Sequence, residues 1–189
     1  TLLNSLGEVE YPMCANGRAQ SPIDFGRVAV DPALRPHVPA WSDVSQFTAS
    51  NNGHTLTITP ITAQPLVTVD PNTQKLYNLL QFHVHTSSEH TFGTGHRDLE
   101  MHIVHQSTTD PNRLMVLGVT YAATEVGVND FQNEFLDLVA PVANTTATIT
   151  ITSTLSPLSM LPASRSYYTY PGSLTTPPCS ENVTWYVFT

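Results

Sequence analysis

Positive charge is scarce in this chain. Lysine and arginine together number seven in 189 residues, and Lys75 is the single lysine, against fifteen acidic residues and a formal net charge of −8. Proteins hold a phosphate backbone through clusters of Lys and Arg, so no nucleic-acid partner is expected. No apolar run approaches the roughly 20 residues a membrane-crossing helix needs, so no membrane span is expected either. The chain opens without an apolar leader segment, and any signal peptide is expected to have been removed already. Cysteine is nearly absent: Cys14 and Cys179, taken alone, suit two buried thiols as well as a bridge.

What the chain does carry is fifteen prolines and many short runs of Thr, Val, Tyr and Phe, residues that fit a pleated surface. The length suits one domain, residues 1–189, with a core of useful size. Short strands are expected at 47–50 and 55–59 around the turn Asn51-Asn52-Gly53, at 66–69 before the turn Asp70-Pro71-Asn72, and at 114–121, whose apolar run marks a buried central strand. One helix is expected near 129–140. Asn129 caps it, Gln132 stands at the capping-box position, and Phe131, Phe135, Leu138 and Val139 form its apolar stripe. Residues 1–19 read as irregular, and the Thr-rich 144–154 as either a strand or an exposed loop.

Six of the eight histidines fall between Gln81 and His105, in QFHVHTSSEHTFGTGHRDLEMHIVH. Side chains at i and i+2 of a strand share a face. Gln81, His83 and His85 therefore point one way, and in the second strand-like run Glu100, His102 and Val104 do the same. Pairing the two runs brings His83, His85 and His102 together, and three neutral imidazoles with an open fourth position are the donor set of a catalytic zinc ion. Metal-bound imidazoles commonly pass their other N–H to an amide or carboxylate. Gln81 is placed to serve His83, and Glu100 to serve His102. His85 has no side-chain partner in the pattern, which leaves a backbone carbonyl. His90, His96 and His105 read as structural or exposed, His105 because its odd spacing from His102 turns it away.

These motifs resemble an alpha-class carbonic anhydrase. QSPID at 20–24, NGH at 52–54, QFHVH at 81–85, SEH at 88–90, EMHIVH at 100–105 and YPGSLTTPP at 170–178 occur in that family's order, over roughly residues 14 to 187. The resemblance implies a mainly β fold: a large twisted, mostly antiparallel sheet with a few short helices. It implies a zinc lyase that hydrates CO2 to bicarbonate. A zinc-hydroxide esterase and a non-enzymatic binding module on the same scaffold are the alternatives. It casts His83, His85 and His102 as the metal ligands, Glu89 and Thr175 as the gate that orients the fourth ligand, and His54 as the proton shuttle. It makes Val104, Val116, Leu174, Val183 and Trp185 the apolar pocket, with Thr176, Asn52, Thr57 and Gln81 on its polar side. Thr57 replaces an amide of some relatives, a change bearing on the ordered water.

The resemblance also implies a Cys14–Cys179 disulfide, as in extracellular members. With the sequons at Asn144 and Asn182 and the shortage of lysine, this favours a secreted or periplasmic-type location. The chain departs from the family at both ends. The aromatic-rich start, with its tyrosine near the water network, is missing. The family's later strands, one of which offers a carbonyl to a ligand histidine, would follow residue 189. A second fragment completing the fold and a homo-oligomer are both left open.

Overall fold

The computed structural model describes residues 9–51, 53, 55–123, 137, 140–142 and 147–188. Eleven strands follow one short helix, α1 (Pro12–Asn16). They are β1 (Val44–Asn51), β2 (Leu56–Pro60), β3 (Val67–Val69), β4 (Leu76–His85), β5 (Thr91–Phe92), β6 (Gly95–His96), β7 (Leu99–Ser107), β8 (Leu114–Tyr121), β9 (Thr148–Leu155), β10 (Tyr167–Gly172) and β11 (Val183–Phe188). Nine of them form one sheet in the order β10-β11-β8-β7-β4-β2-β1-β9, with β3 added beside β4. All pairings are antiparallel except β11 with β8, so the expected mainly β, mostly antiparallel sheet is what forms. Residues 1–19 are not wholly irregular, because Pro12 opens the one-turn helix α1. Of the Thr-rich stretch 144–154, residues 148–154 lie in strand β9, and 144–146 lie outside the described residues. The helix expected near 129–140 lies outside the described residues, apart from Asp137 and a 3-10 turn at Ala140–Val142.

Register explains why two separate cores exist. One rung across the sheet runs Ile149–Ala49–Ile58–Phe82–Ile103–Leu117–Tyr186. Its side chains enter the larger hydrophobic cluster, in which Phe82, Ile103 and Leu117 are wholly buried. Each such side chain contributes about 1.5–3 kcal/mol by leaving water. The neighbouring rung, one residue along, points to the opposite face and reads Val187–Gly118–His102–His83–Thr57. A third, Trp185–Val116–Val104–Gln81, shares that second face. A smaller cluster of Phe25, Val104, Val116, Val183, Trp185 and Val187 packs there. Alternation in β4 and β7 thus sends Phe82, Met101 and Ile103 to one layer and His83 and His102 to the other.

Cys14 and Cys179 are joined, with their Cα atoms 5.1 Å apart. The bridge fixes α1 against the loop between β10 and β11. Two further contacts flank it: Gln20 Nε2 donates to the Cys179 carbonyl at 3.1 Å, and the Ala19 amide to Glu181 Oε1 at 2.6 Å.

The larger core also encloses polar residues. His105 is wholly buried, stacked on Trp41 with ring centres 5.4 Å apart. His37 lies against Tyr186 at 5.4 Å, and the Tyr186 hydroxyl donates to Asp70 Oδ1 at 2.8 Å. Burial pushes the His37 pKa down to about 4, against a partial offset from Asp70 and with Arg165 adding to the fall. Burial pushes His105 down to about 3, with His37 adding to the fall. Both rings are neutral when folded but protonate near pH 6.5 once unfolded. Below pH 6.5 the unfolded chain binds more protons, so stability falls as pH drops from 6.5 toward 4, by up to about 1.4 kcal/mol per pH unit for each histidine. Urea midpoints measured between pH 7.5 and 4.5 check this. His105→Phe is expected to flatten the slope, and an unchanged slope in that variant would contradict the assignment.

Candidate metal centre

Pairing of β4 with β7 sets His83 directly opposite His102 and His85 opposite Glu100. The three rings His83, His85 and His102 have centres 4.6–5.1 Å apart, and one nitrogen of each lies within 4.8 Å of the others. The spacing of the sequence predicts this meeting, and the structure makes it. Gln81 Oε1 accepts from His83 Nδ1 at 2.9 Å, which leaves His83 Nε2 for the centre. Glu100 Oε1 accepts from His102 Nε2 at 2.9 Å, which leaves His102 Nδ1. His85 Nε2 is buried without a hydrogen-bond partner, as is Glu89 Oε2. These two atoms face one another at 3.5 Å without forming a hydrogen bond, so each keeps a lone pair for a further partner. Two tautomers fixed from behind and a buried imidazole nitrogen left over suit a single cation held by three histidines.

Protonation agrees with that use. Burial pushes His83 down to about 2, helped by the neighbouring His102 and His85. Burial likewise lowers His85 and His102. All three are neutral at physiological pH, the form in which imidazole can bind a metal.

Glu100 is the support beneath them and is itself wholly buried. Burial alone would raise its carboxyl pKa. Hydrogen bonds from His102 and His90 outweigh that and hold it well below the usual range. It accepts four bonds in all: His102 Nε2 at 2.9 Å and His90 Nδ1 at 2.6 Å on Oε1, and the amides of Glu89 at 2.9 Å and His90 at 2.8 Å on Oε2. Gly118 opposite makes room for it, since a Cβ there would stand 3.1 Å from Glu100 Oε1. His90 is thus a structural residue, buried, with Nε2 2.6 Å from the Tyr170 hydroxyl. That hydroxyl is 2.9 Å from Ser21 Oγ. Tyr170 donates its hydroxyl proton to Ser21 Oγ, which carries the line of contacts from Glu100 through His90 on to Ser21. Spacing hints at neither Tyr170 nor Ser21, because they come from chain positions 80 and 69 residues from His90.

Glu89 sits at the edge of the cleft. Burial raises its carboxyl pKa, while His102 and a hydrogen bond from Thr175 pull it back. The Thr175 loop is pinned at its start by reciprocal bonds between Ser21 and Ser173, at 2.9 and 3.0 Å. Trp185 Nε1 donates to the Ser173 carbonyl at 3.0 Å.

The three histidines open into a cleft of about 640 Å³. Thr55, Thr57, Gln81, Glu89, Thr175 and Thr176 line it with polar groups, and Val104, Val116, Leu174, Pro177 and Trp185 with apolar ones. Val183 does not line it. It packs behind the wall in the smaller core, because its strand partner Leu114 lies two residues before Val116. A tyrosine does reach the cleft, contrary to what the start of the chain suggests: Tyr11 lines it. His54, Asn52 and Asn144 lie outside the described residues. Asn182 turns its side-chain nitrogen inward to the Asn112 carbonyl, an arrangement that competes with a glycan at that nitrogen.

A mainly β protein built around one wide mixed sheet, with three histidines converging on one face, is the class this geometry defines. The chain matches the model of eukaryotic-type carbonic anhydrases over residues 6–189, and it belongs to that family. It is 33% identical to mouse carbonic anhydrase 6 over 94% of its own length and 62% of that protein's. It therefore spans less than two thirds of that relative. Among solved structures it resembles the alpha-carbonic anhydrase of Photobacterium profundum, with a TM-score of 0.81 and 31% identity over 95% of this chain and 77% of that one. It also resembles the alpha-carbonic anhydrase of Thermovibrio ammonificans, solved with the inhibitor sulfanilamide. There the TM-score is 0.78 and identity 35%, over 95% of this chain and 75% of the other.

Glu100→Gln tests the support. It keeps the shape but turns an amide N–H₂ toward donors already committed to an acceptor. Zinc affinity, read by chelator competition, is expected to fall about 10- to 100-fold. Affinity unchanged within error would show that Glu100 plays no part in holding His102.

Proposed function

We propose that this chain catalyses the reversible hydration of CO2 to bicarbonate and a proton, as a single catalytic domain that holds one zinc ion on His83, His85 and His102. The observation that carries this reading is the convergence of three neutral imidazoles on a cleft whose other wall is apolar, with the Thr175–Glu89 pair beside them. When bound, zinc would supply Lewis acidity that lowers the pKa of a coordinated water to about 7 from 15.7, the value established for carbonic anhydrase as the standard example of this effect.

The chain's own residues do the rest. An ionised Glu89 can only accept hydrogen bonds, so Thr175 gives it the hydroxyl proton. Thr175 then keeps its lone pairs for a donor at the open position of the histidine site. The pair thereby selects a proton-bearing group there and fixes its direction. Val104, Val116, Leu174 and Trp185 offer no hydrogen bonds, which suits an uncharged, weakly polar substrate such as CO2. That wall favours CO2 hydration over ester hydrolysis as the native reaction. Thr176, Thr57 and Gln81 give the other side a polar lining. His54, implied by the NGH motif, would carry the product proton to solvent, since an imidazole near pKa 6.5 both accepts and releases protons at neutral pH. The Cys14–Cys179 bridge supports an oxidising compartment, and so a secreted or periplasmic-type protein.

Metal analysis together with a CO2-hydration assay tests the reading. One zinc per chain is expected, with loss of both zinc and activity in His102→Ala. Thr175→Ala should keep its zinc and lose about 10²-fold in rate, the scale of one preorganised hydrogen bond at a reacting centre. Stoichiometric zinc in His102→Ala, or near-normal turnover in Thr175→Ala, would sink the respective assignments. For the shuttle, His54→Ala is expected to lower kcat more than kcat/KM in dilute buffer, with imidazole buffer restoring the loss. Equal kcat in the two proteins at low buffer would remove that role.

A further inference from the structure

Strand β10 forms one end of the large sheet, and beside it lies a second cleft of about 600 Å³. It shares no lining residue with the cleft above the histidines. Residues 28–36 make one wall and residues 165–168 the other. The walls are tied together, since the Tyr167 hydroxyl donates to the Arg35 carbonyl at 2.6 Å. The Tyr168 ring is held by stacking on buried Phe25, with ring centres 4.4 Å apart. Arg35 and Arg165 both line this cleft, in a chain with only seven basic residues. Neither makes an ion pair among the described residues. Arg165 Nη1 is buried without a hydrogen-bond partner, whereas buried donors in native proteins are nearly always bonded. The one acidic residue of the lining is Asp31, and its Oδ1 is committed to its own turn, accepting from the Ala33 amide at 2.9 Å. Two guanidiniums and one carboxylate leave the cleft with a single net positive charge.

We propose that this cleft binds a small organic monocarboxylate with an aliphatic body, whose head group rests on Arg165 and Arg35. The inference does not depend on the zinc reading. A guanidinium meets a carboxylate with paired N–H donors, and Arg165 Nη1 gains an acceptor from it. The single net positive charge suits a monoanion better than a doubly charged phosphate. Apart from Ser166 and the charged groups, the lining is apolar or aromatic, with Leu34, Pro36 and the Tyr168 ring among it. Val30 stands 92% exposed there and Val28 51%, so an aliphatic body laid over them removes apolar surface from water. A hydrated inorganic anion leaves that surface uncovered. The volume is that of a small-molecule site.

Calorimetric titration of the whole chain with octanoate, octanamide and acetate tests this. Octanamide keeps the body without the charge, and acetate the charge without the body. Octanoate is expected to bind about 10-fold more tightly than either, or better. Arg165→Gln should raise the octanoate Kd about 10- to 100-fold, the scale of a charge-assisted hydrogen bond. Arg35→Gln, at an exposed position, should act in the same direction without touching a buried group. Leu34→Ala should weaken octanoate and leave acetate unchanged. His102→Ala, which alters the other cleft, should bind octanoate like the native chain. An octanoate Kd no lower than that of octanamide, or one unmoved by both arginine substitutions, overturns the site. Loss of octanoate binding in His102→Ala assigns the ligand to the histidine cleft and overturns it too. So does a dimer in sedimentation velocity that octanoate fails to oppose while not binding, because a second copy then covers the cleft.

Discussion

A single buried carboxylate organises the metal centre. Glu100 accepts two imidazole N–H groups and two backbone amides. A carboxylate without partners in that position would cost several kcal/mol in lost hydration. Hydrogen bonds to a charged acceptor return about 1.5–3 kcal/mol each, so only a nearly complete set offsets the burial. Each of the four bonds also fixes something the site uses. One sets the His102 tautomer, and another holds His90. The two amide bonds hold the backbone at Glu89 and His90, so the group that positions His102 also positions Glu89. Removing the carboxylate would strand four donors together, and they do not fail independently.

Period-two alternation makes much of this legible in the sequence. It places His83 with His85 and Gln81, and His102 with Glu100, without knowledge of any pairing. Antiparallel register then has only to align the two runs. The apolar run Leu114–Tyr121 is equally plain as a central strand. What alternation cannot show is which distant strands become neighbours. The parallel pairing of β11 with β8 depends on a long return of the chain, and no local pattern announces it. The short helix α1 escapes a sequence reading because five residues carry too little periodicity to stand out. Resemblance assigns Val183 to the pocket, yet the register puts it one rung too far along.

The features of the site that escape the sequence share a cause. Spacing gives Glu100 to His102 alone, since it reports pairs two residues apart on one strand. The second imidazole partner, His90, lies on the connecting loop, and the line onward to Tyr170 and Ser21 spans most of the chain. Ser21 is the junction. It reaches the metal side through Tyr170 and His90, and the Thr175 loop through its reciprocal bonds with Ser173. QSPID is recognisable in the sequence as a motif of the family. Its physical use, joining Tyr170 and His90 behind His102 to Ser173 at the start of the Thr175 loop, is visible only in three dimensions.

On the zinc reading proposed above, the same arrangement would let a strongly acidic chain offer a cation site without negatively charged ligands. The three ligands carry no charge, because burial keeps their protons off. The charge of Glu100 acts through the far nitrogen of His102 and does not face the open nitrogens. It strengthens His102 as a donor while leaving the cation's charge largely uncompensated at the open position. Glu89 stands closer, but Thr175 occupies it as a hydrogen-bond donor, and its own burial keeps it from being strongly acidic. Glu100 is thus held one hydrogen bond behind His102, while Glu89 Oε2 faces His85 Nε2 directly at 3.5 Å. The wall of Val104, Val116, Leu174 and Trp185 adds no charge at all. On the same zinc reading, a cation flanked in this way would polarise what lies at its open position more than a carboxylate-ligated one would.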